Sequence, residues 1–128
     1  MAAPNIVNVT TMTPNTVSIT PSDTSRNGLI GTAPSTGVAY KINQIIVANI
    51  DGTNAVNATV ELRLADGTTY RALGSTISVP ANATLVMLDK TTSLYLVDTS
   101  VTGQPSTLWV TSGTASKLTF TVSYEALS

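Results

Sequence analysis

The side chains that most often carry enzyme chemistry are missing from this sequence. It has no histidine and no cysteine, so a serine or threonine hydroxyl has no imidazole to act as its base. Ser116 and Lys117 are adjacent, and neighbouring strand residues point to opposite faces, so they are not expected to act as a pair. The same two absences remove the usual ligands of zinc, haem and iron–sulfur clusters. The sequence therefore predicts a protein that is not an enzyme and that holds no metal or cofactor.

The seven carboxylates give no sign of a paired acid and base. Asp51 and Asp66 fall in predicted turns, where aspartate is favoured because its side chain bonds the local backbone. Glu61 and Glu125 alternate with apolar residues and are expected on the solvent faces of strands. A hydrolase site built from two carboxylates is therefore the weakest of the alternatives.

The six basic residues are spread singly along the chain and form no stripe that would bind nucleic acid. Trp109 and Tyr95 take the opposite parity to their leucine neighbours and are expected to be exposed. Exposed amphipathic rings are favoured at protein interfaces and at sugar-binding sites, so both uses stay open. The other aromatic residues share the predicted inward positions of their strands and are expected in the core: Tyr40, Tyr70, Phe120 and Tyr124.

Two stretches show the clearest strand patterns, namely residues 38–50 (VAYKINQIIVANI) and residues 57–64 (NATVELRL). The second alternates apolar and polar residues, which is typical of a strand with one face in a core. The first is apolar on both faces, which is typical of a central strand or of one covered by something outside its own sheet. Residues 51–54 (DGTN) supply turn chemistry between them, so the two stretches are predicted to pair as a central hairpin.

Seven or eight short strands separated by turn residues predict an all-β fold, a single antiparallel β-sandwich or jelly roll. Residues 1–37 hold four prolines and little periodicity, so they are predicted to form an extended N-terminal arm or edge strands. Residues 38–128 are predicted to form the sandwich domain. The first ten residues lack the basic start and apolar block of a secretory signal, and no apolar run approaches the roughly 20 residues that span a bilayer. No membrane association is expected.

Four segments together resemble a family of small virion proteins from tailed bacteriophages of aquatic bacteria, notably cyanophages. They are residues 40–43 (YKIN), 47–54 (VANIDGTN), 77–85 (ISVPANATL) and 118–128 (LTFTVSYEALS), and the resemblance covers roughly residues 38–128. It implies a head decoration (cement) protein, a β-sandwich or jelly roll that forms oligomers, commonly trimers, on the lattice of the major capsid protein. It also implies synthesis in the bacterial host cytoplasm, a place on the outer surface of the capsid, and no catalytic residue.

The candidate contact residues follow from parity. The alternating apolar residues of the arm are expected to dock on a partner, and three further residues are candidates for burial between copies of the chain. The arm set is Ile6, Val7, Val9, Val17 and Ile19, and the second set is Ile45, Val47 and Trp109. The alternatives are a tail, neck or fibre component of the same kind of particle, and a carbohydrate-binding adhesion module.

Overall fold

A computed structural model describes residues 9–89, 91 and 94–128 of the chain. The secondary-structure elements of these residues are nine β-strands, which confirms the predicted all-β fold. The strands are β1 (Met12–Ile19), β2 (Asn27–Ile30), β3 (Ala39–Asn49), β4 (Val56–Leu64), β5 (Tyr70–Val79), β6 (Thr84–Leu88), β7 (Leu94–Leu96), β8 (Pro105–Ser112) and β9 (Leu118–Leu127).

The strands form two antiparallel sheets that pack face to face as a β-sandwich. One sheet has five strands in the order β1-β9-β3-β6, with β7 also pairing with β3, and the other has four in the order β2-β8-β4-β5. Alternate residues of both sheets meet between them in one apolar core. The largest fully buried side chains of this core are Phe120, Ile42, Ile45, Leu96, Leu108 and Leu118.

Strand β3 is central in its sheet, and a bulge near Asn43 decides which of its side chains enter the core. Its pairing with β9 shifts register between Ile42 and Gln44. Because of the extra residue, the side chains of β3 that enter the core are Ile42 before the bulge and Ile45 and Val47 after it. Each of the three is 0% exposed. The prediction that Ile45 and Val47 are buried between copies of the chain is therefore wrong, because both are buried within their own sandwich.

Strands β3 and β4 belong to opposite sheets, so the predicted central hairpin is wrong. The reason lies in the side chain of Asn49, which is 3% exposed at the end of β3. Its Nδ2 donates to the carbonyl oxygens of Asn54 at 3.0 Å and Val79 at 2.8 Å, and its Oδ1 accepts from the Asp51 amide at 2.9 Å. These bonds shape a loop that passes from one sheet to the other. Residues 51–54, which were predicted as a hairpin turn, belong to this loop.

Strands β1 and β2 come from the range predicted as an N-terminal arm, and both lie at sheet edges. Strand β1 pairs with β9 from Met12 to Ile19, and β2 pairs with β8. Thr11 and Ser128 donate backbone hydrogen bonds to each other. In the antiparallel register the backbone groups of the odd-numbered residues of β1 therefore bond β9, and those of Pro14 face the free edge. A proline at that position removes one donor from the open edge and limits pairing with a further strand. Ile6 and Val7 lie outside the described residues.

Three turn aspartates accept hydrogen bonds that favour their charged form. The backbone amide of Thr53 lowers the pKa of Asp51, and the Ser100 hydroxyl lowers the pKa of Asp98. Asp66, in the turn between β4 and β5, accepts from the Thr69 hydroxyl and from two backbone amides, and these bonds lower its pKa from 3.8 to about 2. Each carboxylate stabilises its turn only while it is ionised.

Replacing Asn49 by alanine should destabilise the protein by about 3 kcal/mol, because it leaves two carbonyl groups and one amide at the sheet crossing without their partner. Urea denaturation measures the free energy of unfolding. Asn57→Ala is the matched control, since Asn57 is exposed at the start of β4. Equal losses for the two variants would contradict the role given to Asn49.

The depressed pKa of Asp66 predicts a loss of stability in acid. Its contribution is fully present above the unfolded-state pKa of about 4 and is lost as the pH falls through the folded-state pKa of about 2. Asp66→Asn keeps an acceptor for the turn amides but cannot be protonated in this range. Its melting temperature should therefore fall less than that of the wild type between those two pH values. Identical pH profiles for the two proteins would contradict the assignment.

Candidate interaction surfaces

Among the described residues, part of the outer face of the five-stranded sheet holds no ionisable side chain, and this part ends where Lys41 on β3 lies opposite Glu125 on β9. We call this part the uncharged face. The strand registers place its side chains in three rows that run across β1, β9, β3 and β6. The rows are Thr16, Ser123 and Gln44, then Ser18, Thr121, Ile46 and Val86, then Thr20, Thr119, Ala48 and Thr84.

Half of the uncharged face consists of hydroxyl groups paired across β1 and β9. The hydroxyl oxygens lie 3.4 Å apart for Thr16 and Ser123, and 2.9 Å apart for Ser18 and Thr121. Thr20 and Thr119 continue the series at 2.9 Å. Because these hydroxyls bond one another, their side chains are ordered before any partner arrives and less entropy is lost on binding.

The other half of the uncharged face holds the exposed polar residues Gln44 and Thr84 together with apolar side chains that are open to solvent. Val86 on β6 is 52% exposed, and Ile50, just beyond β3 on the same parity, is 56% exposed. Ile46 and Ala48 lie beside them and are half-buried. We call these four residues the apolar strip. The sequence predicts that β3 is central or covered from outside its sheet, and the structure makes it central while leaving its outer apolar side chains open.

The outer face of the four-stranded sheet has a different chemistry. Trp109 on β8 lies opposite Glu61 on β4, and Arg63 on β4 lies opposite Tyr70 on β5. Arg26, which directly precedes β2, reaches over the same face to Glu61 and Tyr70. We call these five residues the aromatic–arginine cluster.

Arg26 and Glu61 form an ion pair within the cluster. The Nε and Nη2 atoms of Arg26 donate to the two carboxylate oxygens of Glu61 at 2.8 and 3.3 Å. The guanidinium carbon of Arg26 lies 3.8 Å from the centroid of the Tyr70 ring. The hydrogen bonds to Glu61 raise the pKa of Arg26, so the guanidinium stays charged. Arg26 therefore already has its counter-ion.

Arg63 and Trp109 share one hydroxyl acceptor. The Nε of Arg63 and the Nε1 of Trp109 donate to Oγ1 of Thr107 at 3.2 and 2.9 Å. The guanidinium carbon of Arg63 lies 4.8 Å from the Trp109 ring centroid, and the Tyr70 ring meets that indole edge-on at 6.3 Å. Thr107 is 2% exposed, so a buried group holds both side chains in place.

Trp109 is half-buried on the outer face of the four-stranded sheet, and its role as an interface residue stays a prediction. Tyr95 is 39% exposed as predicted, but it pairs with Lys41 on the other sheet. The two rings therefore lie on opposite outer faces and cannot form one sugar-stacking platform. Arg63 also covers the Trp109 ring, and a sugar needs an open ring face for stacking.

The predictions that the other four aromatic residues lie in the core have different outcomes. Phe120 is 0% exposed in the core, as predicted. Tyr40 and Tyr124 are half-buried at the edge of the core, with ring centroids 4.9 Å apart, and burial raises the pKa of Tyr124. The prediction that Tyr70 is a core residue is wrong. Register shifts between β4 and β5 put Tyr70 opposite Arg63 on the outer face, and this effect cannot be read from alternation within β5 alone.

The candidate contact residues of the arm are partly used by their own chain. Val17 and Ile19 pack against the core of the sandwich beneath β1, and Val9 is half-buried. Their contact with a partner stays a prediction. Among the described residues, no group of three or more acidic side chains lies close enough together to hold a metal ion. No helix in that part of the chain has the length and apolar character to cross a membrane.

Comparison with known proteins gives likeness only at the level of solved structures. No protein-family model matches the sequence, and no curated protein matches it either. A subunit of the Bacillus endospore appendages, described as disulfide-linked pili, is 15% identical with a TM-score of 0.49, over 91% of this chain and 85% of that chain. This chain has no cysteine for such a link.

Capsid proteins give similar likeness. A chain of the T13 particle of infectious bursal disease virus is 12% identical with a TM-score of 0.48, over 91% of this chain and 31% of that one. The VP2 subviral particle of the same virus gives 16% identity and a TM-score of 0.43, over 89% of this chain and 32% of that one. The chain thus spans about a third of these capsid proteins.

Thr107→Val should loosen the aromatic–arginine cluster, because it removes the acceptor shared by Arg63 and Trp109 while keeping the side-chain shape. We expect a loss of about 1–2 kcal/mol in the free energy of unfolding. Trp109 is the single tryptophan of the chain, so its emission should shift to the red as the indole gains contact with water. Thr111→Val, two residues along the same strand, is the control. An unchanged emission spectrum in Thr107→Val would contradict the shared bond.

Proposed function

We propose that this protein is a noncatalytic structural component of a virus particle. More specifically, we propose a capsid decoration protein that binds the lattice of the major capsid protein as a homo-oligomer, with a trimer favoured. The observation that carries it is the uncharged face, where the apolar strip lies open to solvent. The sequence resemblance to phage virion proteins supports the proposal of a place on the outer surface of the capsid.

The uncharged face suits contact between copies of the chain. Its three rows carry no charges that could repel when two copies meet, and its hydroxyls are already ordered. Lys41 and Glu125 lie opposite each other one row beyond it. Four strands and three rows cover about 20 Å by 20 Å, or about 400 Å². A standard interface buries about 800 Å² on each partner, so a stable oligomer also needs the neighbouring edges and loops. Ile50 and the free edge of β1 adjoin the face on either side.

A decoration protein stabilises a closed shell by burying surface across the joints between capsid subunits. Each contact can be modest, because many copies act together on one lattice. Apolar and hydroxyl contacts depend little on salt, so adhesion through the uncharged face should persist at high ionic strength. A tail, neck or fibre role would use the same surfaces at another place on the particle. A carbohydrate-binding role is disfavoured because Tyr95 and Trp109 lie on opposite faces.

A lysine in the apolar strip should dissociate the oligomer. Val86→Lys would place a charge in the proposed contact, which weakens association by about a hundredfold or more. Analytical ultracentrifugation measures the assembly state. Ser78→Lys is the control, because Ser78 is an exposed strand residue of the other sheet. Dissociation by both lysines alike, or by neither, would contradict the assignment of this face.

The particle itself tests the proposed function. Gold-labelled antibody against this protein should mark the head shell of intact particles in negative-stain micrographs. Label on the tail would replace the decoration role with the tail alternative, and protein found free of any particle would remove the virion role altogether.

The arm residues Ile6, Val7 and Val9 are proposed to contact the capsid lattice. A deletion of residues 1–9 removes all three and leaves β1 intact, whereas a longer deletion into Met12–Ile19 would remove an edge strand. The shortened protein should keep the melting temperature of the wild type and bind undecorated heads about tenfold more weakly or worse. Full occupancy of heads by the shortened protein would exclude the arm from the contact.

A further inference from the structure

We infer that the aromatic–arginine cluster is a binding site for a carboxylate side chain of a partner protein, with Arg63 as the residue that binds it. The inference rests on the proposed function, since it supplies a second contact surface for the decoration protein. The cluster holds two guanidinium groups but only one carboxylate. Glu61 is taken up by Arg26 through both of its oxygens.

Arg63 has no acidic partner among the described residues. Its Nε donates to Thr107, while Nη1 and Nη2 make no hydrogen bond or ion pair with that part of the chain. The side chain is half-buried, so the missing counter-ion matters more than it would for a fully exposed arginine. The two free Nη groups at the end of the guanidinium form a planar pair of donors that matches the two oxygens of a carboxylate.

The site is ordered before a ligand binds. The Thr107 hydroxyl holds the Nε end of Arg63, and the Trp109 ring lies 4.8 Å beneath the guanidinium carbon. Tyr70 braces the indole from the side and is itself covered by Arg26. A guanidinium held in this way loses little conformational freedom on binding, so more of the ion-pair energy appears as affinity.

The chemistry of the cluster favours a protein as the source of the carboxylate. Tryptophan, tyrosine and arginine are the residues that most often dominate the energy of protein interfaces, and here they are neighbours. An acidic polysaccharide would be expected to stack on an open ring, but Arg63 covers the indole of Trp109. Nucleic acid gains affinity from many phosphate contacts, and this cluster offers one unpaired cation.

A titration followed by NMR tests the site directly on the full chain. The probe is a capped tripeptide with one glutamate, and the signals are the Nε–H groups of the arginines and the indole N–H of Trp109. The Arg63 and Trp109 signals should shift saturably, while those of Arg26, already paired, and Arg71, exposed on β5, should not. No shift at Arg63, or equal shifts at all the arginines, would overturn the inference. Larger shifts with oligogalacturonate than with the peptide would also overturn it, in favour of an acidic sugar.

Head binding then separates this inference from the proposed function. If the wild type binds undecorated heads, Arg63→Gln should bind about 30-fold more weakly, since an unpaired partner carboxylate is left at the interface. Arg63→Lys should recover part of the loss, and Arg71→Gln should bind as the wild type does. Equal binding by Arg63→Gln, with an unchanged melting temperature, would overturn the inference and leave the decoration role standing. A wild type that binds no heads would overturn the decoration role, and the titration alone would then decide the carboxylate site.

Discussion

The constraint on which the rest of this structure depends is that β3 is apolar on both faces. Its inner side chains, Ile45 and Val47, are fully buried and join the two sheets. Its outer side chains, Ile46 and Ala48, lie beside the exposed Val86. The bulge near Asn43 sets which residues take which side. One strand therefore supplies both the core that folds the chain and the strip that we propose to join it to others.

The two outer faces of the sandwich provide two different kinds of contact. The uncharged face offers hydroxyl and apolar contacts, whose strength depends little on salt. The aromatic–arginine cluster offers a charged, directional contact through Arg63, which gives orientation and specificity more than bulk affinity. A protein that must meet copies of itself on one side and a different surface on another needs both kinds. The sandwich separates them by the thickness of its core, so each can be changed without disturbing the other.

The sequence predicted the fold class because alternation survives in most strands. It could not predict which strands pair, because residues 51–54 look like a hairpin turn and Asn49 like a strand residue, whereas in fact Asn49 and Asp51 shape a crossing between sheets. It placed Ile45 and Val47 in a subunit interface because parity within a strand cannot reveal a bulge. Even so, the same pattern correctly indicated apolar side chains on both faces of β3.

The aromatic–arginine cluster could not be found from the sequence for a related reason. Arg26, Glu61, Arg63, Tyr70 and Trp109 are far apart along the chain, and the sequence shows its basic residues only as single, scattered charges. They meet because four strands align in a particular register, and that register contains several bulges. The exposure of Tyr95 needed no register and was predicted from its leucine neighbours alone.

The most direct test of the central claim is a cryo-electron microscopy map of the intact particle at side-chain resolution. We expect density for this chain on the head shell, with the apolar strip covered by a neighbouring copy and excluded from solvent. A map in which the chain sits on the shell with Ile46 and Val86 facing open solvent, or in which the chain is missing from the particle, would contradict it.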